Sequence, residues 1–356
     1  MRAATRLTQA LTPYIIFSCL MVTSSSLPCP SRGSSHPGVH VQGQTAASIS
    51  IAAAAQKNPI SDGWYADPDG IKVGSTYWIY ATVSAEFPSQ GSFDAFSSTD
   101  LAQGNWEPHP GVFTSSAGSQ WAKHSFWAPC VVERAGKFYL YYTANNPVEA
   151  AEAQSGIGVA VADTPGGPFA DLVDGPIVGA RVNGANPMDQ MVFQDDDGST
   201  YLIWGGSAAN IAPLEDDMVT LGAWKDSDSS AGKSDATPRN ITPNEGYGEG
   251  PYMLKHAGRY YLMWSEGGYG TPDYRVAYAV ADAITGPFER RGVILQKDGV
   301  VADGPGHHSI IRDDAGDYWV VYHRRIIGDT VADHRVVAVD RFEFADDGSI
   351  RPVVMT

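Results

Sequence analysis

One short pattern occurs five times along the chain: a glycine, two variable residues, an aromatic residue and then an apolar run. The five copies read Gly74-Ser-Thr-Tyr77-WIY, Gly136-Lys-Phe-Tyr139-LYY, Gly198-Ser-Thr-Tyr201-LIW, Gly258-Arg-Tyr-Tyr261-LMW and Gly316-Asp-Tyr-Trp319-VVY. The marker aromatics are about 60 residues apart. Turn-forming residues such as Asp195-Asp-Asp-Gly198 stand just before these strands, as a β-hairpin requires. Each copy therefore predicts a hairpin followed by a buried strand.

A unit of about 60 residues that holds roughly four short strands, repeated five times, is typical of propeller blades. Helical periodicity of any length is absent from the sequence. We therefore predict an all-β chain in which residues 57–356 form a single-domain, five-bladed β-propeller. The alternative is a β-sandwich whose repeats are accidental.

The composition limits the classes of partner. The 356 residues include 40 acidic and 24 basic side chains, for a net charge of −16. A body this acidic repels phosphate backbones and anionic lipid, so we expect neither nucleic acid nor membrane as a partner. Aromatic residues make up 11% of the chain, which excludes disorder and coiled coil. We expect a monomer.

The first 30 residues have the features of a secretory signal peptide. Arg2 and Arg6 precede a short apolar run over residues 14–22, and small residues follow it. We therefore predict residues 1–30 as the signal, residues 31–56 as a low-complexity linker, and a secreted, extracellular protein; a disordered or transit-like extension is the alternative. Cys130 is the one cysteine after residue 30 and is interpreted as a small buried residue.

The repeats also predict where chemistry is concentrated. The innermost strand of each blade lines the central channel of a propeller, and it should precede the marker strand by one hairpin. Counting back from each marker aromatic gives five positions that we predict to be equivalent: Asp67, Trp127, Asp189, Glu249 and His307. Buried charges are costly unless they are paired or serve a site. Three carboxylates around one pocket suit glycoside hydrolysis, which needs an acid and a base or nucleophile.

Five motifs, in this order along the chain, resemble glycoside hydrolase family 43. They are Tyr65-Ala-Asp67-Pro68, Phe126-Trp-Ala-Pro129, Pro187-Met-Asp189-Gln190, Glu249-Gly-Pro251 and Gly304-Pro-Gly-His307-His308. The resemblance covers about residues 57–356 and implies a five-bladed propeller and an inverting mechanism. It implies that Asp67 is the general base, that Glu249 is the general acid, and that Asp189 orients the acid and tunes its pKa.

The resemblance also implies contacts with the sugar and with an ion. Substrate-binding residues are expected at Phe126, Trp127 and Arg335, with Arg324 as the second choice for the arginine. His307 resembles a histidine that holds a calcium ion through its water shell, and no cofactor is expected for the chemistry itself. Simpler interpretations stay open: Asp67, Asp189 or Glu249 as ordinary turn residues, Trp127 as a core residue, and His307 as a structural histidine.

For the substrate, the resemblance implies a polysaccharide or oligosaccharide partner. We expect an enzyme that removes α-L-arabinofuranosyl residues from arabinoxylan or arabinan, because the C-terminal β-sandwich of many β-xylosidase relatives is not in this sequence. The alternatives are β-xylosidase and arabinanase within the same family. An invertase-like enzyme is disfavoured, because Gly250 rather than cysteine follows Glu249. A non-catalytic carbohydrate-binding propeller is the alternative of a different class.

Overall fold

The five predicted hairpins are present in the computed structural model, which describes residues 58–85, 89–145, 155–225 and 235–356. Each marker glycine lies in the turn between the first and second strand of a blade. Gly74, Gly136, Gly198, Gly258 and Gly316 all have positive φ, between 58° and 90°. An added Cβ would meet no atom at four of these five positions. Glycine is therefore favoured there by backbone conformation, not by lack of space.

The strands form five antiparallel sheets, numbered here as blades I to V in chain order. Blade I contains β1 (Tyr65–Val73), β2 (Thr76–Val83), β3 (Ser92–Ser98) and β4 (Glu107–Thr114). Blade II contains β5 (Trp127–Arg134), β6 (Lys137–Asn145), β7 (Ser155–Ala162) and β8 (Ala170–Asp171). Blade III contains β9 (Met191–Gln194), β10 (Thr200–Trp204), β11 (Asn210–Leu214) and β12 (Arg239–Asn240). Blade IV contains β13 (Glu249–His256), β14 (Arg259–Glu266), β15 (Arg275–Ala281) and β16 (Glu289–Leu295), and blade V contains β17 (Asp303–Arg312), β18 (Tyr318–Arg325) and β19 (Arg335–Phe342).

The first strand of each blade contacts the first strand of the next, and β17 of the last blade contacts β1 of the first. The blades thus close into a ring around a central channel, and the described residues contain no helix. This confirms the all-β, five-bladed propeller. The described residues belong to one compact unit, Ala52–Thr356. The predicted signal peptide and linker lie outside the described residues and stay predictions.

Blade V has three named strands and is completed by the segment that precedes β1. Ile60 N–H donates to Val337 O at 2.9 Å, which places this segment beside β19. Asn58 fixes its register, since its side chain donates to Val339 O and accepts from Val339 N–H, both at 2.9 Å. The same amide donates to Thr356 Oγ1 at 3.0 Å, so the two ends of the propeller meet at one side chain.

Apolar side chains fill the spaces between neighbouring blades. Separate buried clusters join blades I and II, blades II to IV, blades IV and V, and blades V and I. The facing surfaces of neighbouring blades therefore pack against each other as two stacked sheets, and these clusters form the hydrophobic core of the ring. Within the described part of the chain, no helix has the length and apolar character needed to cross a membrane.

Candidate active site

One residue near the start of each innermost strand has a left-handed backbone conformation. These residues are Asp67, Ala128, Asp189, Gly250 and His307, with φ between 44° and 60°. The predicted equivalence was therefore wrong by one residue in two blades, because Trp127 and Glu249 directly precede the left-handed residue instead of occupying it. The strand register shifts across this residue in blades I, II, IV and V, as at a β-bulge, and the extra residue re-aims the side chains.

The N–H group of each left-handed residue is held by a side chain of the preceding blade. The pairs are Asp67 N to His323 Nδ1 (3.1 Å), Ala128 N to Thr82 Oγ1 (2.9 Å), Asp189 N to Thr143 Oγ1 (3.0 Å), Gly250 N to Asp189 Oδ2 (3.1 Å) and His307 N to Ser265 Oγ (2.8 Å). Strained backbone of this kind persists where its surroundings determine it, and such places cluster at functional sites. The ring of hydrogen bonds thus fixes the residues at the mouth of the channel.

A cavity of about 530 Å³ opens at this ring. It brings together six of the residues singled out in the sequence: Asp67, Trp127, Asp189, Glu249, His307 and Arg335. Residues that sequence reasoning missed also line it, namely Gln90, Ser125, Asn145, Ser155, Asn186, Met188, Tyr269 and Asp333. Most of these lie in loops between strands, where the repeat pattern carries no signal.

Asp67 is buried among positively polarised groups. Its Oδ1 lies 3.1 Å from Arg335 Nη1 and 3.3 Å from Nδ1 of both His307 and His323. Burial alone would raise the pKa of this carboxyl group, but Arg335 first, and then the two imidazoles, hold the pKa well below its ordinary value. Asp67 is therefore ionised throughout the range in which an enzyme works, as a general base must be.

Asp189 has the opposite electrostatic environment. Burial is the largest influence and raises its pKa, and the neighbouring carboxylates of Glu249 and Asp67 raise it further against the opposing effect of His307. Its Oδ2 accepts the N–H of Gly250, the residue that follows Glu249. Asp189 is thus connected to Glu249 both by charge and by the backbone.

Glu249 begins β13, and its side chain reaches the cavity. Its Oε1 accepts a hydrogen bond from the Tyr274 hydroxyl at 2.7 Å. A carboxyl group that holds a proton on its other oxygen could pass that proton to a leaving group in the cavity. The three carboxylates therefore share one cavity in unlike surroundings, which is how acid and base roles are divided between like groups.

The two aromatic residues expected to bind sugar are placed differently. Trp127 lines the cavity, and its indole N–H donates to Gln90 Oε1. Phe126 is fully buried and packs against Phe93, Phe113 and Tyr142 in the cluster between blades I and II. The expectation that Phe126 contacts substrate is wrong for this reason, since its ring is part of the core between blades I and II.

Of the two arginines considered, Arg335 lines the cavity and Arg324 does not. Arg324 donates to Thr356 O at 2.8 Å, at the outer end of blade V. The Arg335 guanidinium lies 4.8 Å from the centre of the half-exposed Tyr269 ring, a cation–π distance. Arg335 and Tyr269 together form one wall of the cavity beside Asp67.

A metal ligated directly by protein does not fit the described side chains, among which no group of three or more His, Cys, Asp or Glu residues is suitably clustered. His307 directs its Nδ1 to Asp67 Oδ1. A hydrated calcium ion held by His307 stays a prediction, and no step of the chemistry is derived through it. Cys130 is buried, accepts Val192 N–H through its sulfur at 3.4 Å, and has a thiol pKa raised by burial, as expected for a packing residue.

A propeller whose channel mouth gathers three carboxylates, aromatic faces and an arginine has the features of a glycoside hydrolase. The family model for glycosyl hydrolases family 43 matches residues 56–350, and the chain belongs to that family.

Named relatives share the whole length of the propeller. The chain is 38% identical to a β-D-galactofuranosidase, xynD, of Aspergillus niger, over 96% of each chain. Among solved structures, a thermostable family-43 glycoside hydrolase matches with a TM-score of 0.71 and 28% identity, over 85% of this chain and 96% of that one. An α-L-arabinofuranosidase of Clostridium thermocellum matches with a TM-score of 0.65 and 30% identity, over 83% and 95%.

Proposed function

We propose that this protein is an inverting glycoside hydrolase that removes α-L-arabinofuranosyl residues from arabinoxylan or arabinan. The observation that carries the proposal is that Asp67 and Glu249 line one cavity but have different partners, a guanidinium for Asp67 and a neutral hydroxyl for Glu249. Arg335 keeps Asp67 ionised, and the Tyr274 hydroxyl leaves one oxygen of Glu249 free to carry a proton. One group is thus equipped as a base and the other as an acid.

In the proposed reaction Asp67 takes a proton from a water molecule, which attacks the anomeric carbon. The glycosidic C–O bond breaks as Glu249 gives its proton to the leaving oxygen, so the sugar is released with inverted configuration. Asp189 accepts the N–H of Gly250 and so holds the backbone directly after Glu249. Trp127 and Tyr269 offer flat faces to the sugar ring.

A β-D-galactofuranoside is the second candidate substrate, and the name of the A. niger relative favours it. The two sugars have the same ring stereochemistry, and galactofuranose carries one additional hydroxymethyl group. A pocket discriminates against one such carbon by only about 10- to 200-fold. The same carboxylates would therefore act on both sugars, and the space at the exocyclic end of the ring would set the preference.

Substrate choice is tested with purified protein and three 4-nitrophenyl glycosides: the α-L-arabinofuranoside, the β-D-galactofuranoside and the β-D-xylopyranoside. We expect the highest kcat/KM for the arabinofuranoside, and arabinose as the sugar freed from wheat arabinoxylan. A higher value for the galactofuranoside would transfer the proposal to the second candidate. Release of xylose without arabinose would contradict both and favour β-xylosidase.

The non-catalytic alternative is separated by Glu249→Gln. The amide keeps the shape of the side chain but cannot donate an acidic proton. An enzyme should lose about 10²- to 10⁴-fold in turnover of arabinoxylan oligosaccharides while it still binds them. A carbohydrate-binding propeller would show the same binding before and after the change and no turnover in either form.

We also propose that the protein is secreted and that residues 1–30 are removed. Support comes from the charged start, the short apolar run and the small residues that follow it. Expression in a secreting host, followed by N-terminal sequencing of protein from the medium, tests this. A mature chain that begins near residue 31 is expected; full-length protein confined to the cells would contradict it.

A further inference from the structure

A buried tyrosine lies directly behind the proposed general acid. Tyr274 immediately precedes β15, is fully buried, and ends the segment 267–274 that also carries Tyr269 to the cavity wall. Its hydroxyl donates to Glu249 Oε1 at 2.7 Å. Tyr274 does not line the cavity, whereas Glu249 does, so any effect of the hydroxyl on the reaction should pass through that carboxyl group.

The Tyr274 ring is held rigidly from both sides. One face lies parallel to the imidazole of His323, with ring centres 5.5 Å apart and planes 3° apart. On the other side Gly306 makes room for the ring, because a Cβ at that position would lie 2.2 Å from Tyr274 Cε1. Ser265 Oγ, which accepts His307 N–H at 2.8 Å, also interacts with the Tyr274 hydroxyl. A ring fixed in this way places its O–H with little freedom.

The same stack reaches the proposed base. His323 Nδ1 accepts the N–H of Asp67 at 3.1 Å, so the imidazole that supports Tyr274 also supports Asp67. Burial raises the pKa of Tyr274 well above its ordinary value, and burial lowers the pKa of His323 to about 4. Both groups are therefore neutral at working pH, and the tyrosine is always a hydrogen-bond donor.

We propose that Tyr274 is a positioning residue for Glu249, which directs the acidic proton to the leaving oxygen and stabilises the carboxylate left after proton transfer. The inference rests on the proposed function, in which Glu249 is the general acid. A hydrogen bond to a carboxylate is stronger than one to the neutral acid, so Tyr274 aids the step in which Glu249 loses its proton. It does so through its fixed O–H, without itself exchanging a proton with substrate.

Leaving groups of different acidity test this role. 4-Nitrophenol departs with little protonation, whereas a sugar hydroxyl needs the acid. Tyr274→Phe should therefore lower kcat about 10- to 150-fold on arabinoxylan oligosaccharides, the range for a hydrogen bond to a charged group. On the 4-nitrophenyl glycoside the loss should be less than about threefold by the same reasoning. KM should change little on either substrate.

Tyr322→Phe is the matched control, because Tyr322 is also fully buried and donates to a carboxylate, Asp340 Oδ2, at 2.7 Å but does not line the cavity. Both variants keep the aromatic ring, and thermal melts followed by circular dichroism establish that they fold. The control should lose stability without changing the ratio of activities on the two leaving groups. An equal loss on both substrates for Tyr274→Phe would overturn the proposal.

A double-mutant cycle with Glu249→Gln gives a second, independent readout. If Tyr274 acts through Glu249, Tyr274→Phe should cause no further loss once the acid is absent. Additive losses would overturn the positioning role even if the single variant is less stable. The proposed function is tested separately, by identifying the sugar that the wild type releases. The role of Tyr274 is tested by the ratio of activities on the two leaving groups, and that ratio can be measured with whichever sugar is released.

Discussion

Replacing Arg335 by methionine removes the positive charge that keeps the proposed base ionised. The guanidinium lies 3.1 Å from Asp67 Oδ1, and both side chains are at most one-tenth exposed. Methionine keeps much of the apolar stem of the arginine side chain, but it has no positive charge to balance the Asp67 carboxylate. The Nδ1 atom of His307 stays at 3.3 Å from the same oxygen, so Asp67 is not left wholly unpaired.

The size of the effect follows from the kind of contact that is lost. A hydrogen bond to a charged group contributes about 1.5–3 kcal/mol, which corresponds to about 10- to 150-fold in kcat/KM. Burial raises the pKa of Asp67 once Arg335 no longer opposes it. The base then takes up a proton at a higher pH, and the acidic limb of the kcat/KM profile should move upward.

The stability of the variant should depend on pH in a defined direction. The folded-state pKa of Asp67 is depressed in the wild type, so its stabilising contribution is present above the unfolded-state value and is lost as pH falls through the folded-state value. The variant lacks that contribution. The difference between wild type and Arg335→Met in urea midpoint should therefore be largest near neutrality and shrink in acid.

The assay is kcat/KM on the best 4-nitrophenyl glycoside across the acidic and neutral range. Arg324→Met is the matched control, since Arg324 is also buried in blade V but bonds to Thr356 O, away from Asp67. The control should keep the wild-type pH profile. An unmoved acidic limb in Arg335→Met, or the same shift in the control, would refute the electrostatic argument.

Substitutions at three further positions probe other parts of the structure. Gly306→Ala should lower stability by about 1–3 kcal/mol in urea titration, because its Cβ would overlap the Tyr274 ring, and activity should fall with it; wild-type stability would contradict this. Asn58→Ala should lower stability by about 1–3 kcal/mol by opening blade V, with kcat unchanged, and a loss of kcat would count against a purely structural role. Asp189→Asn keeps an oxygen that can accept the Gly250 N–H, whereas Asp189→Ala does not. We therefore expect a greater loss of kcat for the alanine variant. Equal losses would mean that the hydrogen bond to Gly250 does not contribute.

The fold could be predicted from the sequence because each blade repeats the same local requirement. A turn with positive φ favours glycine, as at Gly74, and the strand after it carries an aromatic residue that is buried, as Tyr77 is, or half-buried, as Tyr139 is. These requirements recur in every blade and leave a visible period. Blade closure by Asn58 left no such trace, because a single side chain that joins distant segments has no periodic signature.

The site was predicted in part. Asp67, Asp189 and Glu249 carry charge on strands that should be apolar, and that conflict is visible in the sequence. The one-residue offset of Glu249 was missed because the distance along the chain from the left-handed residue to the marker aromatic differs between blades. It is twelve residues from Asp189 to Tyr201 but eleven from Gly250 to Tyr261. Phe126 was misplaced because the sequence does not indicate which of two adjacent aromatic side chains faces the cavity. Trp127, at the start of β5, lines the cavity, and Phe126, just before the strand, is buried in the core.

Tyr274 and Tyr269 were not singled out at all. Both lie on the segment 267–274, which joins β14 to β15 and has no counterpart in the repeat pattern. Their roles depend on the side chains beside them, which are Glu249 for Tyr274 and Arg335 for Tyr269. The first contact lies within blade IV and the second joins blades IV and V, and neither follows from the spacing of the strands.

Proton NMR of an arabinoxylan digest determines whether the cavity releases a furanosyl residue with inversion. Spectra collected in the first minutes identify both the released sugar and the anomer that forms first. We expect free arabinose that appears first as the β anomer, and no such signal with Glu249→Gln. First release as the α anomer, or xylose in place of arabinose, would contradict it.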